Sequence, residues 1–205
     1  LQKYNHDNMF IKGTIRENKV NMQIEIQRCN RKSIVITVNS KAQVIIKAPY
    51  RITDEEIREV LQKRAKWIKD HVDKVNKERE SADSLEPFTN EELSRLGDKA
   101  VEYIPKRVEF FASKVGVNYG RITIRNQKTR WGSCSGKGNL NFNCLLMLTP
   151  PEVIDYVIVH ELCHRKEMNH SYRFWSEVER VLPDYKIRRK WLSEHGGVII
   201  GRMET

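Results

Sequence analysis

Long apolar runs are missing from this 205-residue chain. None approaches the roughly 18 residues that a membrane-spanning helix requires. Hydrophobic residues at 39% beside 31% charged ones describe a soluble globular protein with no membrane partner. The opening stretch, LQKYNHDNMF, has no basic region leading into an apolar one. No secretory leader is therefore read, and the cytoplasm is the expected compartment. Cysteine is scarce: Cys29, Cys134, Cys144 and Cys163 form no CxxC pair and no framework spacing. That excludes a disulfide scaffold and a cysteine-built zinc site, and the thiols are expected reduced and mostly buried. There is no internal repeat, no low-complexity tract, no recognisable nucleic-acid motif and no glycine-rich GxxxxGK phosphate loop.

What is present is unevenly charged. The formal net charge is +10, and residues 1–80 hold 18 Lys and Arg against 11 Asp and Glu, or +7. Such a segment can meet a polyanion, although a solvated basic surface is the simpler explanation in the absence of a nucleic-acid motif. MQIEIQ and SIVITV alternate apolar and polar residues, and AQVIIKAP follows a turn-like NSK, so the first third reads as strands. RITDEEIREVLQKRAKWIKDHVDKV then reads as one helix, with Thr53 and Glu56 as a capping box and Ile57, Val60, Leu61, Ile68, Val72 and Val75 as its apolar stripe. NKERESADSLEP is polar and unpatterned and is taken as a linker, dividing the chain into parts at 1–80 and 81–205. Thr89 and Glu92 open another helix by the same device. Its stripe runs through Leu93, Leu96, Val101, Ile104, Val108, Phe111 and Val115 to a stop at Gly116, and Pro105 is expected to kink or divide it. RITIRNQ and GNLNFNC read as two strands around the turn-rich KTRWGSCSGKG, and Pro150 with Pro151 announces a helix start.

The helix expected from about Pro151 to Met168 carries His160, Glu161 and His164, the pattern HExxH, in a chain with six histidines in all. Residues four apart share a helix face, so both imidazoles can reach one ion. Zinc takes nitrogen ligands in a tetrahedral shell, and a catalytic site supplies three protein ligands and leaves the fourth position open. Glu161 is rotated by about 100° from His160. That offset suits a base acting on water activated by the ion, and not a ligand. His170 is the candidate third ligand. A continuing helix would carry it away from the ion, so the chain must stop and fold back. Asn169 suits a left-handed turn there, and Ser171 can cap a following helix with Phe174, Val178, Val181 and Leu182 on its apolar side. Cys163 points to another face and is not a ligand.

TRWGSCSGKGNLNFNCLLMLTPPEVIDYVIVHELCHRKEMNHSYRFW, followed by PDYKIRRKWL, resembles the YgjP-like metallopeptidase family, densely from about Arg121 to Leu192. Its members are zinc-dependent hydrolases with the extended HExxH-x5-H pattern, distantly akin to SprT-type proteases. The N-terminal strands and the stretch ending RAKWIKDHV are similar to the family's leading segment, more loosely. The resemblance implies zinc held by His160, His164 and His170, with Glu161 as base. The fold class expected is α+β: an N-terminal strand-rich part with a helix, then a zincin-like α+β metal domain.

Arg130 is a candidate for holding developing oxyanion charge or a substrate carboxylate or phosphate. Trp131, Phe174, Trp175 and Tyr156 are read as core. Asp155 and Glu167 are candidates to receive the second N–H of a ligand imidazole. The activity expected is cleavage of a peptide or protein. Two alternatives stand beside it. One is a nucleoside triphosphate (UTP) pyrophosphatase at the same metal site, since the YgjP-like family includes a member assigned that activity. The other is a nucleic-acid-associated protease or binding module, supported by the basic first part.

Overall fold

The structure, a computed structural model, describes residues 13–15 and 22–203. It falls into two compact units, Leu1–Ser81 and Ala82–Thr205. Strands and helices are mixed in an α+β chain, and among the described residues no helix is long and apolar enough to cross a membrane.

The first unit is a four-stranded sheet covered by helix. Strands β1 (Gly13–Ile15), β2 (Met22–Cys29), β3 (Val35–Val38) and β4 (Val44–Pro49) lie in the order β1-β2-β4-β3. β2 and β4 run parallel with Ile24 opposite Val44, and β3 returns antiparallel at the edge. Ile24, Val44, Ile46 and Ala48 form one buried face, as their alternation requires. Ile57, Leu61, Ile68 and Val72 pack on it. They come from two helices where one was expected: α1 (Asp54–Lys63) and α2 (Ala65–Asp83) are separated at Arg64. The apolar stripe passes through the break undisturbed, because Arg64 still donates its N–H to the carbonyls of Val60 and Leu61. The capping box of Thr53 and Glu56 forms, with bonds of 2.7 and 3.2 Å.

The stretch expected as a linker is helical along its first two thirds. α2 continues through Asn76 to Asp83, and only residues 84–89 leave the helix. Lys, Glu, Arg and Ala are strong helix formers, and a helix mostly bathed in solvent has no periodicity to reveal it.

The second unit is built around one buried helix. The long α3 (Asn90–Val115) starts on the Thr89–Glu92 capping box and ends at Gly116, whose φ of 77° is the left-handed stop expected. Pro105 does not divide it. The carbonyl that Pro105 cannot bond belongs to Val101, which is 61% exposed and not part of the buried stripe as expected. Three strands follow, β5 (Ile122–Arg125), β6 (Gly132–Cys134) and β7 (Leu140–Asn143), in the order β5-β7-β6. The sequence suggests two strands, yet the middle one lies inside the turn-rich segment, too short to show alternation. A 3₁₀ turn, Cys144–Leu148, leads to α4 (Pro151–Cys163), which starts at its paired prolines. α5 (Tyr172–Val181) and α6 (Tyr185–Gly201) complete the unit. From Val153 onward every residue of α4 except Asp155 and His160 is buried, because α3, α5, α6 and β6 all pack on it. That is the environment of a helix apolar all round, and it makes any polar residue on α4 conspicuous.

Candidate metal centre

α4 sets His160 and His164 one turn apart, ring centroids 5.0 Å from each other. The helix ends at Cys163, five residues earlier than expected, in a tightened turn where the N–H of Arg165 bonds Leu162 and those of Lys166 and Glu167 bond Cys163. Asn169 is not left-handed: among the described residues Ala42 alone, apart from glycine, has a positive φ. The reversal is spread over several residues, and Ser171 then caps α5 by accepting from the Phe174 N–H at 3.4 Å.

This turn returns His170 to the first two imidazoles, 4.8 Å from each by ring centroid. One ligand atom from each of His160, His164 and His170 lies within 4.8 Å of the others. Phe174, wholly buried, is the floor beneath them, its ring 4.9, 4.6 and 4.7 Å from the three. Nε2 of His170 lies 3.0 Å from Nε2 of His160. At that range either one neutral imidazole donates its Nε2–H to the other, or both nitrogens turn their lone pairs to a shared cation. His160 is held in its neutral form, because burial, with His164, His170 and Arg189 adding to it, pushes its pKa down to about 3. His170 is lowered too, again first by burial. Ligand nitrogens around a tetrahedral zinc lie roughly 3.3 Å apart, so the three residues fit such an ion. Nδ1 of His164 faces the Glu167 carbonyl at 3.1 Å, which leaves its Nε2 as the free lone pair. Nδ1 of His160 is buried without a hydrogen-bond partner.

Glu161 is the buried acid of α4, 6% exposed. Burial pushes its pKa up to about 8, and the charge of Arg130 opposes that rise. Its room comes from Gly132 on β6, where a Cβ would stand 2.9 Å from both Cγ and Oε1 of Glu161. Arg130 is exposed on the loop before β6. That loop is pinned by Asn143, fully buried, whose side-chain amide donates to the carbonyls of Gln127 at 2.7 Å and Arg130 at 2.9 Å. Gly132 and Asn143 escaped the sequence reading. The available signals were a glycine between a tryptophan and a serine, and an asparagine ending an apolar strand.

Other expectations sort plainly. Tyr156 is buried, its ring 5.9 Å from His160, and burial lifts its hydroxyl pKa to about 12. Trp131 is half-buried against Gly196. Cys163 is fully buried, and its thiol is pushed to about 12. Asp155 makes no hydrogen bond to the three histidines: its carboxylate takes both bonds of a fork from Arg107, at 2.8 and 2.7 Å. Glu167 reaches His164 through its backbone carbonyl and not its carboxylate. Glu177 is held by Lys166 and Arg180, whose hydrogen bonds keep its carboxyl below the usual range.

The family profile of the YgjP-like, metallopeptidase domain matches residues 32–100 and 91–195. The chain belongs to the YgjP-like metallopeptidase family. The match takes in β4, all of α1 to α5, and the three histidines. No curated protein matches the chain. Among solved structures, the metallopeptidase zymogen abylysin of Pyrococcus abyssi is 26% identical, covering 44% of this chain and 93% of its own, with a TM-score of 0.41. The zymogen jannalysin of Methanocaldococcus jannaschii is 22% identical, covering 43% of this chain and 94% of its own, with a TM-score of 0.37. Membership of the YgjP-like family rests on the profile match alone.

Proposed function

We propose that this YgjP-like chain is a zinc-dependent peptidase in which His160, His164 and His170 hold the ion and Glu161 is the general base. One observation carries the reading: three imidazoles converge at the end of α4, and the residue next to the first of them is a buried, unusually basic carboxylate. The bound ion would supply Lewis acidity, polarising the scissile carbonyl and making a water molecule more acidic. The histidines contribute neutral nitrogen donors, and burial keeps His160 in that form. Glu161 takes the proton from the attacking water and passes it to the leaving amine, so its carboxyl must be ionised when substrate arrives. The charge of Arg130 pulls in that direction, and so does any cation held by the histidines. Arg130 lies on the Glu161 side and is the candidate to meet negative charge developing on the carbonyl oxygen.

Glu161→Gln tests the assignment, since it preserves size and removes the base. Zinc should stay near one per chain while peptide hydrolysis falls by about 10²–10⁴-fold. Wild-type turnover in the zinc-bound variant would refute the mechanism, and loss of zinc would make Glu161 a ligand. UTP is assayed in parallel. Pyrophosphate release that depends on Glu161, with no peptide cleaved by the wild type, would replace the peptide reading by the nucleotide one.

A further inference from the structure

The helix α6 carries the basic run Lys186, Arg188, Arg189 and Lys190. Three of the four have a carboxylate: Lys186 meets Glu179 at 3.2 Å, Arg188 meets Asp184 at 3.0 Å, and Lys190 meets Glu194 at 3.7 Å. Arg189 has none among the described residues, although it is exposed and surrounded by water-accessible surface. It is nevertheless held in one place. Its guanidinium lies over the Trp175 ring, 4.6 Å from the centroid. The indole also stacks at 5.4 Å on Tyr185 and at 5.7 Å on His170. Trp175 also lies 5.9 Å from His160. Arg189 is thus one aromatic ring away from the histidine cluster, and its charge is felt by His160, His170 and Tyr156.

A fixed cation there is unfavourable on its own terms. It repels any metal ion the histidines hold, and cation–π stacking at an exposed site returns only about 0.5–1 kcal/mol. An anion on the open edge of the guanidinium, flanking the Trp175 ring, would offset that repulsion. The forming oxyanion is not that anion, because it develops at the ion itself, whereas Arg189 is displaced beyond Trp175. We propose that Arg189 is a carboxylate-binding residue of the substrate cleft, selecting peptides that carry a carboxylate close to the scissile bond. The separation corresponds to about three extended residues or fewer. The carboxylate is either the chain's own C-terminus or an Asp or Glu side chain. Trp175 presents the guanidinium face-on and leaves its N–H edge for the fork that carboxylates prefer. This inference rests on the peptidase reading given above.

The test is a peptide library digested by the zinc-loaded protein and read by mass spectrometry. One copy has free C-termini and one has amides, each with Glu and Gln versions of every internal position. Wild type should favour bonds with a nearby carboxylate by at least about fivefold in kcat/KM, mainly through KM. The C-terminal and side-chain arms show which source is read. Arg189→Gln should bring that ratio to about one, Arg189→Lys should keep part of it, and Arg189→Glu should favour basic sites. A merely structural role would lower all sites together and leave the ratio intact, which overturns the proposal. Calorimetry with zinc-loaded Glu161→Gln and the same acid and amide peptides supplies a readout without turnover. Acid-selective binding that Arg189→Gln abolishes supports the site even if no peptide is cleaved, in which case the peptidase reading alone falls. Cleavage indifferent to carboxylates leaves the peptidase and removes the role of Arg189. Arg189-dependent binding of UTP tighter than of any peptide acid overturns the carboxylate assignment.

Discussion

A carboxyl group buried among the apolar side chains of α4 carries a penalty that shows in how stability depends on pH. The Glu161 pKa is raised in the folded chain to about 8, above the 4.5 of the free side chain. A raised folded pKa means stability that is complete below about 4.5 and lost as pH climbs through about 8. In metal-free protein, Glu161→Gln should therefore gain on wild type between pH 5 and pH 9, by at least about 2 kcal/mol. Denaturant melts at the two pH values measure this, and an unchanged gap would mean that the carboxylate is better solvated than its burial indicates. His160 acts in the opposite sense: its lowered pKa removes stability as pH falls from 6.5 toward 3. Gly132 bears on the same carboxylate. A methyl group there would collide with Glu161 at 2.9 Å. Gly132→Ala should thus reduce hydrolysis by tenfold or more while zinc remains bound, as metal analysis beside the rate would show. The histidine spacing was readable in the chain because residues four apart on a helix obey local geometry. Gly132 was not, because its meaning lies in a residue 29 positions away along the chain.

Elements reveal a similar division. Both capping boxes, the glycine stop of α3 and the proline start of α4 are contained within a few neighbouring residues, and all of them form as the sequence implies. β6 depends on pairing with β7, a partner the local sequence does not announce, and the sequence reading missed it together with the split at Arg64 and the early end of α4. The loop carrying Arg130 belongs to this second class, since it hangs on the Asn143 amide. Asn143→Ala should cost about 2–4 kcal/mol by leaving two carbonyls without donors. It should also lower hydrolysis more than it lowers zinc affinity, because the loop lies on the Glu161 side and not behind the histidines. Unfolding curves and zinc titrations of the variant test the two parts separately. Equal losses in rate and affinity would show that the loop supports the whole site.

Across the molecule, the sequence placed a boundary near Ser81 and gave it to a linker; the boundary falls instead near the end of a helix. Limited proteolysis should accordingly cut first within residues 84–87 and spare Asn76–Asp83. Early cuts inside that helical stretch would contradict the extent of α2. All three histidines lie in the second unit, so zinc should raise the thermal midpoint of that unit alone, by an amount that grows with free zinc. The most direct measurement is zinc content and zinc-edge X-ray absorption on wild type and on His160→Ala, His164→Ala and His170→Ala. Wild type should hold one zinc with three imidazole nitrogens at roughly 2.0–2.1 Å, and each variant should lose most of its metal. Full occupancy with an unchanged spectrum in any one variant, above all His170→Ala, would contradict the three-histidine site.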